Sequence, residues 1–428
     1  MISVEVAGTI HQAAEEDAVK TITEEGWLAS AKDQNFGTFF SRDALNCSKF
    51  RLYTFEKHPS RHELLVPIRS SLKTIAYNLG KEYNPLRDEE PGRPPHELRR
   101  YDSPKNTERL NELGAIGWPV GEEGMWYGGA SDVAPLFVEV TCNYFLLTDD
   151  RQFFEELDPY IRKALWWIEN HSASRGDGYI RYSAQNRNAL LNQMWKDSFD
   201  AIEISPGKRP KEPIAVVEIQ GYTYDAYVKA AEAYRRMGNI EFAKQLYQRA
   251  GILKNNFNRD FWMEDEGFYA FALDGDNNRV KEITSNVGHL LMSGIIDEAK
   301  EPIVVDRIMR PDIFTNWGLR PLSAKSTHFS DIEPFAYHRG GGIWPHDNGI
   351  IYMGLKKAGY VKEAGFVRDA VLNAQYGLFV RYGLINDELY MVDRNGNLRP
   401  YETSQHPQSW VTEANKMWTD PLEVNDLL

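Results

Sequence analysis

Four short segments carry residue types that do acid–base chemistry or grip polar ligands. In Asn192-Gln193-Met194-Trp195-Lys196-Asp197-Ser198 a carboxyl lies two residues from a tryptophan, between helical patterns. A carboxyl kept dry beside an indole has a raised pKa and keeps its proton near neutrality, as a general acid must. The competing reading makes Asp197 or Ser198 a helix cap. In Asn386-Asp387-Glu388, upstream of the tight turn Asn395-Gly396, a carboxylate can activate water, or the stretch is a solvated acidic loop. Arg42-Asp43, in the aromatic segment FGTFFSRDAL, suits two neighbouring hydroxyls, or forms a structural ion pair. Tyr337 to Asn348 holds three consecutive glycines, so backbone can approach closely, and Trp344 can stack on a ring. His338 and His346 lack a third His or Cys nearby, which argues against a metal centre. The same two histidines would be the acid/base pair of a sugar epimerase or isomerase.

The 428-residue composition narrows the ligand class. Aromatics make up 12% of the chain, and Trp126, Tyr127, Trp195 and Trp344 fall in loop-like rather than helical stretches. Aromatic faces offered by loops suit ligands with flat C–H faces, and sugars are one such class. A net charge of −13 with no basic run argues against nucleic acid and anionic membranes as partners. The basic cluster Pro206 to Lys211 is either a solvated loop or a clamp for a carboxylate or phosphate. Cys47 and Cys142 make no disulfide framework and suggest a reducing compartment. The first twenty residues lack the basic and apolar blocks of a secretory signal, so a cytoplasmic location is expected. The apolar run Ala134 to Leu147 is broken by Glu139 and Asn143, too polar to span a bilayer.

These residues need a scaffold, and apolar periodicity predicts a helical one. Helices are expected over His62 to Gly80 with a kink at Pro67, from Ser131-Asp132 to Leu147, and over Phe153 to His171. Pro213 to Met237, closed by Gly238, and Ile240 to Asn256, capped by Asn239, form a pair. Ser285 to Ile296, Pro302 to Met309, Ile343 to Ala358, Val361 to Tyr376 and Gln408 to Trp418 follow. Gly178 to Tyr182 and Gly267 to Leu273 are candidate hairpin arms. The recurring unit is two helices and a long polar-aromatic loop. Six such pairs closed into a ring give an all-α (α/α)6 toroid with its loops gathered over a pocket at one end. One such domain is expected over residues 1–428, with 82–130 as a lid-like loop insertion.

Eight segments, in this order, resemble a known group of proteins: EPGRPPHELRR (Glu90 to Arg100), WYGGASDVAPLF (Trp126 to Phe137), NQMWKDS (Asn192 to Ser198), PIAVVEIQGYTYDA (Pro213 to Ala226), SNVGHLLMSGI (Ser285 to Ile295), NWGLRPLS (Asn316 to Ser323), YHRGGGIWPHDN (Tyr337 to Asn348) and HPQSW (His406 to Trp410). The chain is similar to the (α/α)6 catalytic domain of bacterial amylo-α-1,6-glucosidase-like proteins. It is similar also to the related processing α-glucosidase I and glucosylglycerate and mannosylglycerate hydrolases. The resemblance implies an inverting, exo-acting α-glycosidase with no metal or organic cofactor and a small carbohydrate as its partner. Asp197 is then the general acid and Glu388 the general base, with Glu402 and Glu413 as alternatives for the base. Arg42 and Asp43 would grip the sugar ring. The motifs further imply substrate contacts from His96, Tyr127 and Asp132, from Gln193, Trp195 and Lys196, and from Gln220 and Tyr222. His338, Trp344, His346 and Asp347 would follow, and then Gln408 and Trp410. PQSWVTEA stands where the group often has PQAWAA, so Ser409 and Thr412 are expected to alter the pocket floor. Helices are expected to begin by His11, with no large preceding β domain, which favours a small α-glucoside or α-mannoside such as glucosylglycerate or mannosylglycerate. A debranching-type α-1,6-glucosidase on short oligosaccharides is the neighbouring alternative.

Overall fold

The computed structural model describes residues 2–421 and 423. Its helices run α1 Val4–Thr21, α2 Ser41–Lys57, α3 Val66–Tyr77, α4 Pro104–Ala115, α5 Val133–Thr148, α6 Arg151–Asn170, α7 Val217–Arg236 and α8 Ile240–Asp260. After a 3-10 turn, Ser285–His289, come α9 Leu290–Ser293, α10 Glu301–Ile308, α11 Pro345–Lys357, α12 Val361–Tyr382 and α13 Ser409–Trp418. Packing sorts them into two rings. Going round the inner ring, α2 touches α5, α5 touches α7, α7 touches α9, α9 touches α11, α11 touches α13, and α13 returns to α2. Outside them lie α3, α6, α8 and α12, packed on α2, α5, α7 and α11, together with α10 against the Ser285–His289 turn and α1 against α13 and α12. This is the (α/α)6 toroid, with α4 as an extra helix.

The two rings differ because their sequences differ. Helix α5, VAPLFVEVTCNYFLLT, is buried on nearly every face, as an inner helix must be. Helix α6 buries one stripe, Phe153, Phe154, Leu157, Ile161, Leu165 and Ile168, and leaves its other face to water. Inner helices come close where side chains vanish: a Cβ at Gly288 would lie 2.7 Å from Ile351 on α11. Inner-to-outer turns are short. Asp149, at φ 51°, and Asp150, whose carboxylate accepts from Phe153 N–H, link α5 to α6. Gly238 and Asn239 do the same between α7 and α8. Every outer-to-inner connection is long, so all six inner helices start at the same end of the ring, under the loops.

Several predicted boundaries shift. Pro67 opens α3 rather than kinking a longer helix, because its missing N–H costs nothing in the first turn. Helix α7 starts at Val217, since Ala215–Val216 pairs with Ala272–Leu273 as a strand. Only an isolated bridge, Tyr182 to Ile214, marks the Gly178 to Tyr182 arm. The segment 82–130 holds α4 and strands Glu97–Arg99, Val120–Gly121 and Gly124–Tyr127, which pair with one another and with Phe39–Phe40. Arg42 and Asp43 are not in a loop but in the first turn of α2.

Candidate active site

A cavity of about 240 Å³ opens at the loop end of the ring. Its lining includes Arg42 and Asp43 from α2, His96 from the 82–130 segment, Trp195 and Asp197, His338 and Trp344, Glu388, and Gln408 and Trp410 at the start of α13. Residues 365 positions apart meet there, Gln408 donating from Nε2 to Asp43 Oδ1 at 3.0 Å.

Asp197 caps no helix; the stretch around it is irregular and its placement comes from a guanidinium. Arg42 donates from Nη1 to Asp197 Oδ2 at 3.1 Å. Its remaining bonds run away from the pocket, to Asp132 Oδ2 (2.6 Å), Asp132 Oδ1 (3.1 Å) and the Met194 carbonyl (2.8 Å). Arg42 thus pairs with Asp132 and Asp197, not with its sequence neighbour Asp43. Burial pushes Asp197 up to about 6, against the pull of Arg42. His96 Nε2 lies 4.0 Å from Asp197, and burial beside Arg42 holds that imidazole neutral.

Glu388 is fixed by a small sheet. Ile343 pairs with Tyr390 and Gly342 with Met391, which brings Glu388 beside the Tyr337 to Trp344 loop. Tyr337 donates to Glu388 Oε1 at 2.7 Å, and the Glu388 backbone N–H donates to the Gln405 carbonyl at 3.0 Å. Burial raises Glu388 to about 7 although the Tyr337 hydroxyl favours its anion, and the Asp197 charge adds to the rise. Of the three glutamates proposed for this role, Glu388 alone lines the cavity. Glu402 is exposed, and Glu413 is gripped by Arg51 through two bonds of 2.8 Å deeper in the ring. Asp43 is also raised, by burial first and by the charges of Glu388 and Asp197.

Aromatic faces complete the walls. Trp344 lies against Trp195 (5.8 Å), Trp410 (6.2 Å) and, in a stacked pose, His338 (5.0 Å). His338 Nδ1 accepts from the Ser198 backbone N–H, which leaves the proton on Nε2. His346, its supposed partner, does not line the cavity: it is stacked beneath Trp410 at 3.7 Å with both ring nitrogens buried. Among the described residues no group of three His, Cys, Asp or Glu is arranged to hold a metal ion.

Other predicted contacts lie behind the wall. Asp132 is spent on Arg42, and Gln193 Oε1 accepts from Arg93 at 2.7 Å. Lys196 turns inward to the Pro321 carbonyl. Gln220 clasps the Ile180 and Val216 carbonyls, holding strand to helix. Tyr222 meets His289 at 2.5 Å, and His289 in turn meets Asp347 at 2.7 Å. Tyr127 packs on Trp118 at 4.9 Å and accepts from the Leu190 N–H through its hydroxyl. Ser409 and Thr412 lie on α13 outside the lining; the Thr412 hydroxyl bonds back to the Gln408 carbonyl. The basic cluster is also elsewhere: Arg209 serves the Phe199 and Leu191 carbonyls, and Lys211 pairs with Asp276.

Sequence reasoning missed other lining residues: Phe36, Phe40, Arg99, Arg109, Trp118 and Tyr337. The run FGTFF and the Tyr preceding His338 were visible signals for Phe36, Phe40 and Tyr337. Arg109 reaches the site from α4 and carries no local signal.

No family model matches this chain, and no curated protein does. Solved structures do. A GH63 mannosylglycerate hydrolase from Thermus thermophilus, in complex with Tris and D-glycerate, superposes with a TM-score of 0.66 at 12% identity, over 96% of this chain and 99% of that one. An uncharacterized conserved protein from the same organism gives 0.62 at 14%, over 95% and 99%. A GH78 rhamnosidase of Bacillus sp. GL1 gives 0.61 at 13%, over 97% of this chain and 34% of that one. The chain has the helical-toroid fold of these glycosidases; at such identities the likeness speaks for the fold. Among the described residues no helix is long and apolar enough to cross a membrane.

Proposed function

We propose that the chain is an inverting, exo-acting α-glycoside hydrolase for a small α-glucoside or α-mannoside. The observation that carries this reading is a single aromatic-walled cavity holding two raised carboxyls, Asp197 and Glu388, from distant parts of the chain. Asp197 protonates the leaving oxygen while Glu388 takes a proton from water on the opposite ring face. Inversion needs about 6.5–9.5 Å between the two carboxyl groups, to admit that water. Trp195, Trp344 and Trp410 stack on the sugar, and Asp43 with Gln408 accepts and donates to its hydroxyls. Both carboxyls are raised by burial, Asp197 to about 6 and Glu388 to about 7. Asp197 keeps 27% of its side chain exposed, so a bound sugar strips its remaining water and raises it further, while Glu388 at 3% has little water to lose. Binding therefore favours the protonated form of the acid.

Substrate size follows from the cavity, which is below the roughly 300–1,000 Å³ of drug-sized sites. That supports a compact glycoside over a glucan branch. Glucosylglycerate and mannosylglycerate are the substrates of choice: Arg109 reaches the lining from α4 and can meet an acidic aglycone, and the fold is shared with a protein named mannosylglycerate hydrolase. An epimerase reading needs His346 in the pocket, and it lies under Trp410. A panel of α-linked glucosides and mannosides, with acidic and neutral aglycones, tests the proposal. Release of free sugar from a small member, lost in Asp197→Asn, supports it; isomerised product or no turnover removes it.

A further inference from the structure

We propose that Asp132, buried behind the pocket wall, is a positioning residue that holds Arg42 against Asp197 and so governs where the catalytic proton resides. The inference rests on the reading of Asp197 as general acid. Asp132 occupies the cap position of α5, where an aspartate ordinarily accepts from the helix N–H groups, yet its side chain caps nothing. Both its oxygens go to Arg42 in a bidentate pair, at 2.6 and 3.1 Å. Arg42 then bonds the Met194 carbonyl, three residues before Asp197, and the Asp197 carboxylate itself. One carboxylate therefore fixes both the direction and the net charge of the guanidinium that Asp197 feels. Asp132 is 1% exposed and outside the cavity lining, so contact with a sugar does not explain it.

Other charged or titratable groups face Asp197 from every side: Arg42 and Asp43 on α2, His96 from the 82–130 segment, Tyr337 and His338 from the loop before α11, and Glu388. Of these Arg42 is the cation in contact with it, and Asp132 is the counter-charge that offsets that cation. Replacing Asp132 by Asn leaves Arg42 uncompensated, which draws Asp197 toward its anion.

The test follows Asp197 directly, by carbon-detected NMR of its carboxyl across pH in the wild type, Asp132→Asn and the double variant Asp132→Asn/Arg42→Gln. In Asp132→Asn the Asp197 titration, and the limb of kcat/KM that it governs, are expected to move down by about one unit. kcat should drop about tenfold with KM little changed, because the productive protonation state becomes rarer. In the double variant, which buries no unpaired charge, the Asp197 titration should rise above the wild-type value. A purely structural Asp132 would lower the folded fraction and leave the titration where it was. An unmoved titration in the single variant, or in the double one if the single variant does not fold, overturns the proposal. Absence of any glycosidase turnover in the wild type would remove the general-acid role, while the carboxyl titration still decides whether Asp132 controls Asp197.

Discussion

The two ends of the ring are built from the same six inner helices, yet they treat buried charge in opposite ways. Further along the inner helices the buried acids Glu139 and Glu413 have their bases. Glu139 lies between Lys49 and Lys229, and their attraction outweighs burial and holds it down at about 2. Glu413 is lowered in the same way by Arg51. At the loop end Asp43, Asp132 and Asp197 gather around Arg42, Glu388 lines the same cavity, and burial wins at Asp43, Asp197 and Glu388. Beneath them Glu218 is raised to about 7 and Lys196 is lowered to about 8, both by burial. Matched charges lock a frame, whereas unmatched ones leave protons free to move at neutral pH.

The sharpest way to break this contrast is to neutralise each kind of acid. Asp197→Asn and Glu388→Gln are expected to lower kcat by about 10²–10⁴-fold with the fold intact, read by steady-state kinetics beside circular dichroism. Near-normal kcat in either would end the assignment. Glu139→Gln, which strands Lys49 and leaves Lys229 only Asp225, should instead cost about 3–5 kcal/mol of stability in denaturant melts. Its kcat, measured on the folded fraction, should stay close to that of the wild type.

The same difference has opposite signs in pH. Asp197 and Glu388 have folded pKa values above the ordinary carboxyl range, so the folded state binds their protons more tightly than the unfolded chain. Their burial therefore makes stability fall as pH rises from about 4 to 7. Glu139 and Glu413 are lowered, so their contribution is present above about 4.5 and lost as pH falls toward 2. Asp197→Asn and Glu388→Gln should thus be more stable than wild type at pH 7.5, by on the order of 2 kcal/mol, with the gain vanishing near pH 4. A gain that persists at pH 4 would point to packing rather than protons.

The smallest effect concerns Arg109. Its partner Glu112 lies one helical turn away on α4, 2.8 Å distant and half exposed. Arg109→Met should raise KM for an acidic aglycone about two- to fivefold, within the range of exposed ion pairs, and leave a neutral aglycone unaffected. Equal effects on both would deny Arg109 a part in recognising the acid.

What the sequence made legible follows the same divide. Helices α5, α6, α7 and α8 could be read because apolar spacing and the stops at Asp149, Gly238 and Asn239 are local features. Helix α2 could not. It buries Arg42, Asp43, Lys49 and Arg51 inside the ring, and these polar residues hide the apolar period. Their partners, Asp132, Glu139 and Glu413, lie 90 or more positions away, so only tertiary pairing accounts for them. At the site, the motifs identified the loops that meet, and Asp197, Glu388, Arg42, Trp344 and Trp410 do line one cavity. Motif membership did not separate pocket from frame: Gln220, Tyr222 and Asp347 share those segments but are turned away by helical phase.

The central claim, two carboxyls working from opposite faces of one sugar ring, is tested most directly by proton NMR of the first turnovers on an α-glycoside. Direct displacement by water predicts that the β-anomer appears first and then mutarotates. Initial release of the α-anomer would contradict it.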